Sequence, residues 1–191
     1  MALVEEEPKS SKKLKSSTHT GIPEAVFLED VDAFMQKAEN ADPTAVVQRL
    51  DEQHNKYKFM ELNLLQKKKR LRSQIPDIRT TLEVVQHMRS KQGSGADMAT
   101  QFLLADQVYA KATIPPSDRV CLWLGANVML EYSVEDAESL LTSNLTAAKE
   151  SLLQVDEDLD FLRDQYTTTE VNMARVYNFG VKKRQSAQSS S

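Results

Sequence analysis

The chain has 191 residues, 27% of them charged and 6% aromatic, with a net charge of −4. That length suffices for one ordinary domain, but large apolar residues are too few for a compact core, and five glycines favour long uninterrupted helices over a loop-rich α/β fold. The acidic balance argues against a dedicated nucleic-acid binder, and no stretch has the length and apolarity of a signal peptide or membrane span. A single cysteine, Cys121, excludes an internal disulfide or a cysteine zinc cage and reads as a small core residue.

Residues 1–20 are rich in Ser, Lys and Glu and are expected to be a disordered tail. Residues 21–38 place Val26, Phe27, Val31, Phe34 and Met35 at roughly helical spacing, which predicts a short amphipathic helix from about Glu29. Too short to stand alone, it must dock or fray. The first long helix is predicted over 43–92. Asp42 can cap its first turn, and Pro43 fits the first helical position, where its missing N–H costs nothing. Gly93-Ser94-Gly95 can supply the left-handed backbone of a stop. Pro76 lies inside, away from the apolar face, and predicts a bend.

Over 98–132 the period changes to 2. Val108, Ala110, Ala112 and Ile114 alternate with polar or larger residues, and Pro115-Pro116-Ser117-Asp118 turns the chain. Val120-Cys121-Leu122-Trp123-Leu124 is apolar on both faces, as in a strand buried on both sides. Val128, Leu130 and Tyr132 alternate again, and a further strand falls around Thr100 to Leu104. These make two β-hairpins. The second long helix, 133–179, opens on Ser133-Val134-Glu135-Asp136, which resembles a capping box, and is predicted to stop before Gly180. Residues 180–191 are expected to be disordered. Their Lys182-Lys183-Arg184 cluster reads as a solvated end before it reads as a weak nuclear signal.

The two long helices carry seams at alternating spacings of three and four. The first runs Val47, Leu50, His54, Tyr57, Glu61, Leu64, Lys68, Leu71, Ile75, Ile78, Leu82, Val85, Arg89. The second runs Val134, Glu138, Leu141, Leu145, Ala148, Leu152, Val155, Leu159, Leu162, Tyr166, Thr169, Met173, Val176. Both have 13 positions, so an antiparallel coiled coil pairs them with none left over. Val47 then faces Val176, His54 faces Thr169, Lys68 faces Val155 and Arg89 faces Val134. The expected fold is mainly α with a small β element: a long antiparallel helical hairpin joined by two β-hairpins. The sheet's open edges and apolar strand call for assembly, with strands from several subunits closing into an inter-subunit β-barrel.

GIPEAVFLEDVDAFM, YKFMELNL, FLLADQVYAKATIPPSDRVCLWLGANVMLEY and DEDLDFLRDQYTTTEVNMARVYNF resemble the prefoldin family, in its α type, over about Gly21 to Phe179. The resemblance implies a subunit of a hetero-hexamer with one further α and four β subunits. Such a complex binds unfolded actin and tubulin with its arm tips and hands them to the cytosolic group II chaperonin without ATP. It also implies a cytoplasmic protein, with the nucleus as a second compartment, and neither cofactor, nucleic acid nor membrane as partner.

Other motifs yield to blander readings. Lys67-Lys68-Lys69-Arg70-Leu71-Arg72 sits mid-helix as a solvated face. Asp156, Glu157, Asp158, Asp160 and Asp164 lack the glycine turn of a calcium loop. His19, His54 and His87 are scattered, with no nucleophile and base converging, so an enzyme is not expected. A generic coiled-coil scaffold leaves the strands unexplained, and an RNA-binding helical arm lacks a continuous basic stripe. The candidate client-binding residues at the free end of the arm are Val46, Val47, Leu50, Met173, Val176, Tyr177 and Phe179. Those for assembly are Phe102, Leu104, Val108, Val120, Leu122, Trp123, Leu124, Val128 and Leu130.

Overall fold

A short helix α1 (Val31–Met35) leads into a 50-residue helix α2 (Pro43–Gln92). Two antiparallel hairpins follow, β1 (Met98–Ala105) with β2 (Val108–Ile114) and β3 (Arg119–Gly125) with β4 (Val128–Ser133), and then a 56-residue helix α3 (Val134–Ser189). The computed structural model describes His19, residues 21–93 and residues 95–189. At 1.5 Å per residue, α2 is about 75 Å long and α3 about 84 Å.

Local chemistry sets the helix starts. Asp42 Oδ1 accepts from the Thr44 N–H at 3.0 Å, with Pro43 next to it. Ser133 Oγ accepts from the Asp136 N–H at 3.0 Å and donates to the Asp136 carboxylate at 2.7 Å. After α2, Gly93 stays right-handed (φ −73°) and Gly95 takes the left-handed turn (φ +59°). α2 runs through Pro76 as one helix, with the proline exposed.

The helices zip antiparallel in the expected register. His54 bonds Glu170 at 2.9 Å, Lys68 pairs with Asp156, and Arg89 reaches Glu135 at 3.3 Å. Each acidic partner is the α3 residue next after the one expected opposite. Polar seam members thus turn outward to a flanking charge and keep their stems in the interface. Arg89 also donates to Glu138, and that bond is the main reason the Glu138 carboxyl lies below the ordinary carboxylate range. The bridge is intact at neutral pH and is lost as pH falls through that lowered value. Tyr57, Val155, Leu162 and Val176 are fully buried along the coil, each worth roughly 1.5–3 kcal/mol relative to exposure.

Three expectations need correction. α3 does not stop at Gly180 but continues to Ser189, so the tail expected from residue 180 is helical to that point. Gly180 is buried, and a Cβ there would lie 3.1 Å from Pro43 Cβ. The glycine permits a close helix approach and does not end the helix. Cys121 is exposed, because the face of β3 that carries it is turned away from the coil. The N-terminal segment is α-helical over Val31–Met35, capped by Asp30, with a 3-10 turn at Ala38–Asn40; its helix starts two residues after the expected Glu29, and the residues before Asp30 are not helical. The tail expected over residues 1–20 lies outside the described residues apart from His19, which stacks on Phe161 and bonds Asp158 at 2.9 Å.

The register is open to a direct test. In a Cys121→Ser background, cysteines at Leu82 and Leu141, which share one buried cluster, should oxidise to an intrachain disulfide. Cysteines at Leu50 and Leu141 should not, because Leu50 lies about 48 Å along α2 from Leu82. The opposite pattern on a non-reducing gel would overturn the antiparallel pairing.

Candidate functional site

Each end of the coil carries a surface that the two helices alone leave incomplete. At the base, Val120 and Leu122 on β3 and Tyr132 on β4 pack on Leu82, Val85, Val134, Ala137 and Leu141. This contact anchors the second hairpin on the coil. Most of the other large apolar strand side chains are uncovered. Phe102, Leu104, Val108, Trp123, Leu124, Val128 and Leu130 are all exposed, Trp123 at 64%.

The expectation that β3 is buried on both faces therefore fails within one chain: the coil covers the Val120–Leu122 face, and the Cys121–Trp123 face is open. Leu103, Tyr109 and Met129 are also exposed and were missed by reading one face per strand. The register explains the omission. Leu103 pairs with Tyr109, and Trp123 with Met129, on the opposite faces from Phe102–Ala110 and Leu122–Leu130. Both faces of both hairpins are thus apolar near their turns. Contiguous exposed apolar side chains of this kind mark an interaction surface.

The open end of the arm is different. Val46 and Val176, expected on a fraying surface, are 2% and 0% exposed. With Met35 they form a cluster flanked by Leu28, Val31, Phe34, Val47, Leu50 and Phe179. Met173 is half-buried, whereas Tyr177 is 58% exposed. The covering element is the N-terminal segment, which crosses both helices as a strap.

Side chains of the coil hold this strap by its backbone. Gln165 Oε1 accepts from the Ala25 N–H at 2.8 Å. The Asn172 amide accepts from the Leu28 N–H at 2.9 Å and donates to the Val26 carbonyl at 2.8 Å. Arg175 donates to the Glu29 carbonyl at 2.9 Å, and its guanidinium lies over the Phe27 ring. From α2, the buried Tyr57 hydroxyl donates to the Pro23 carbonyl at 2.8 Å and accepts from Gln53. Gln165, Thr169 and Asn172 are nearly fully buried. A buried amide needs such partners; the strap supplies both for Asn172 and one for Gln165, whose Nε2 donates to the Phe161 carbonyl at 3.2 Å. Sequence reasoning missed both residues. The available signal was a pair of amides seven residues apart on one helical face.

Among the described residues no three His, Cys, Asp or Glu side chains gather as a metal cluster, and no helix is long and apolar enough to cross a membrane. The acidic run in α3 is dispersed among separate partners: Asp156 and Asp160 pair with Lys68 and Arg163, and Asp158 hydrogen-bonds His19.

Comparison with known proteins gives a consistent result. The family model described as "Prefoldin subunit" matches residues 57–179. The chain is 61% identical over 166 residues to prefoldin subunit 3 of Mus musculus, covering 87% of this chain and 85% of that one. It is also 61% identical to prefoldin subunit 3 of Homo sapiens, with 87% and 84% covered. A probable prefoldin subunit 3 of Schizosaccharomyces pombe is 45% identical over 88% of this chain and 95% of its own.

The strap contact yields a stability prediction. Tyr57→Phe removes a buried hydroxyl that joins Gln53 to the Pro23 carbonyl. It should lower chain stability by about 1 kcal/mol and increase protease cleavage between Gly21 and Glu29. Unchanged cleavage there would mean that this bond does not hold the strap.

Proposed function

Since this chain belongs to the prefoldin family, we propose that it is the α-type arm of a hetero-hexamer with one further α and four β subunits. Family membership makes it a non-enzymatic co-chaperone subunit that assembles with other prefoldin subunits. In the finer reading, the complex captures unfolded or nascent polypeptides, actin and tubulin among them, without ATP. It passes them to the cytosolic group II chaperonin, so its place of action is the cytoplasm. The Lys182-Lys183-Arg184 cluster lies exposed near the end of α3 and leaves the nucleus as a second compartment.

The observation that carries this reading is the separation of two incomplete apolar surfaces by a long, rigid coil. The strand surface exposes apolar side chains on two hairpins whose outer edges pair with no other strand among the described residues. Strands from neighbouring subunits would cover these faces and satisfy the edges as a barrel. The arm end then projects about 70 Å from that barrel, which suits an element that encloses a client with other arms. Weak apolar contacts from several arms sum through multivalency.

Assembly and capture are separable. Leu122→Asp places a charge between β3 and the helix cluster and should remove the chain from the purified hexamer while the helical signal persists. Co-purification at the wild-type level would defeat the barrel assignment. A chain trimmed of residues 1–50 and of everything beyond Arg175 should still assemble. It should protect unfolded actin or tubulin less well in an aggregation assay, with a partial loss because five arms remain in the proposed hexamer. Equal protection of both clients would show that this arm end is structural only.

A further inference from the structure

The arm tip is already occupied, and the manner of occupation indicates what it accepts. Three helical side chains, Gln165, Asn172 and Arg175, bond the backbone of an extended segment at Ala25, Val26, Leu28 and Glu29. Asn172 alone satisfies one N–H and one C=O, as a neighbouring strand would. Bonds to the main chain are indifferent to sequence, and pockets beside them add a preference for apolar side chains.

The strap fits this groove loosely. Val26 is 76% exposed and Phe27 46%, and from Gly21 to Met35 only Met35 is buried, at 6% exposure. An open pocket is left between Ala25, Leu28 and Phe34 of the strap and Arg49, Leu50 and Gln53 of α2. Elements with few buried apolar contacts open at low free energy.

We propose that the segment from Pro23 to Met35 is a displaceable strap. It fills the groove formed by Gln165, Thr169, Asn172 and Val176 of α3 with Val46, Leu50 and Tyr57 of α2. An extended apolar stretch of an unfolded polypeptide replaces it by taking over the same backbone bonds. This proposal rests on the reading of the arm as a client-binding arm and adds where and how that arm grips. The strap keeps Val46 and Val176 covered when no client is present, so the free complex does not present them to other surfaces. It also lowers apparent client affinity by the fraction of time the groove is closed.

The test uses the assembled complex and a fluorescent synthetic peptide of residues 21–37. A complex whose subunit lacks residues 1–37 should bind the peptide, and unfolded actin should displace it. The wild-type complex should bind the peptide at least about threefold more weakly, because its own strap competes. If the deletion impairs folding, Met35→Ser in the full chain loosens the strap without altering the groove and should also admit the peptide.

In a second arm of the test, cysteines at Phe27 and Arg175 in a Cys121→Ser background are bridged by a short bifunctional thiol reagent. Bridging should reduce client protection to the level of the trimmed arm, relative to the same unbridged variant. A bridged complex that protects fully, while the trimmed arm is impaired, overturns the strap proposal and leaves the arm reading intact. If trimming is also without effect, both fall. Failure of both the deletion and the Met35→Ser variant to bind the peptide also overturns the proposal.

Discussion

Two helices wound around each other can each bury one stripe and nothing more. Everything else in this chain follows from that limit. Along the shaft the stripe suffices, since Leu71, Val155 and Leu162 are buried there and charged residues take the outside. At the ends the stripe runs out, and other chain must complete the packing. At the base the β3–β4 hairpin does this with Val120, Leu122 and Tyr132. At the far end the strap does it with Leu28, Val31, Phe34 and Met35. Neither cover is large, and the hairpins create a new apolar surface in making theirs.

The shaft also needs a device against slippage, because one heptad looks much like the next. Polar seam members supply it. His54 with Glu170, Lys68 with Asp156, and Arg89 with Glu135 and Glu138 meet in one register. A shift by one heptad would separate each pair and set charges against apolar positions. These residues contribute little net stability as half-exposed pairs. Their larger effect is to penalise the wrong alignments.

How much of this was legible in sequence depends on whether a feature has a period. The coil and its register could be read because a 3.5-residue repeat persists over both helices. The strands were visible as a switch to period 2, and their need for neighbours as apolar residues on both faces. Gly180 misled because glycine marks a helix stop and a close helix approach equally well, and only the proximity of Pro43 distinguishes them. The strap was half seen. Its apolar residues implied docking, but an extended stretch held by side-chain amides leaves no repeat. Gln165 and Asn172 look like ordinary polar positions until the chain 140 or more residues away lies against them.

The two ends differ in a way that separates permanent from reversible contact. The base offers large apolar side chains on a hydrogen-bonded scaffold, with Phe102, Tyr109 and Trp123 held at fixed register. Such a surface gains most from a partner that stays, because burying preorganised aromatics loses little conformational entropy. The tip instead closes with a segment that is mostly exposed itself and held through its main chain. Under the strap proposal, releasing that segment uncovers Val46 and Val176 and returns the Gln165 and Asn172 amides to water. On the proposed reading, a subunit built this way remains assembled through one end while the other opens and closes, because a coil dozens of residues long separates the two packing problems.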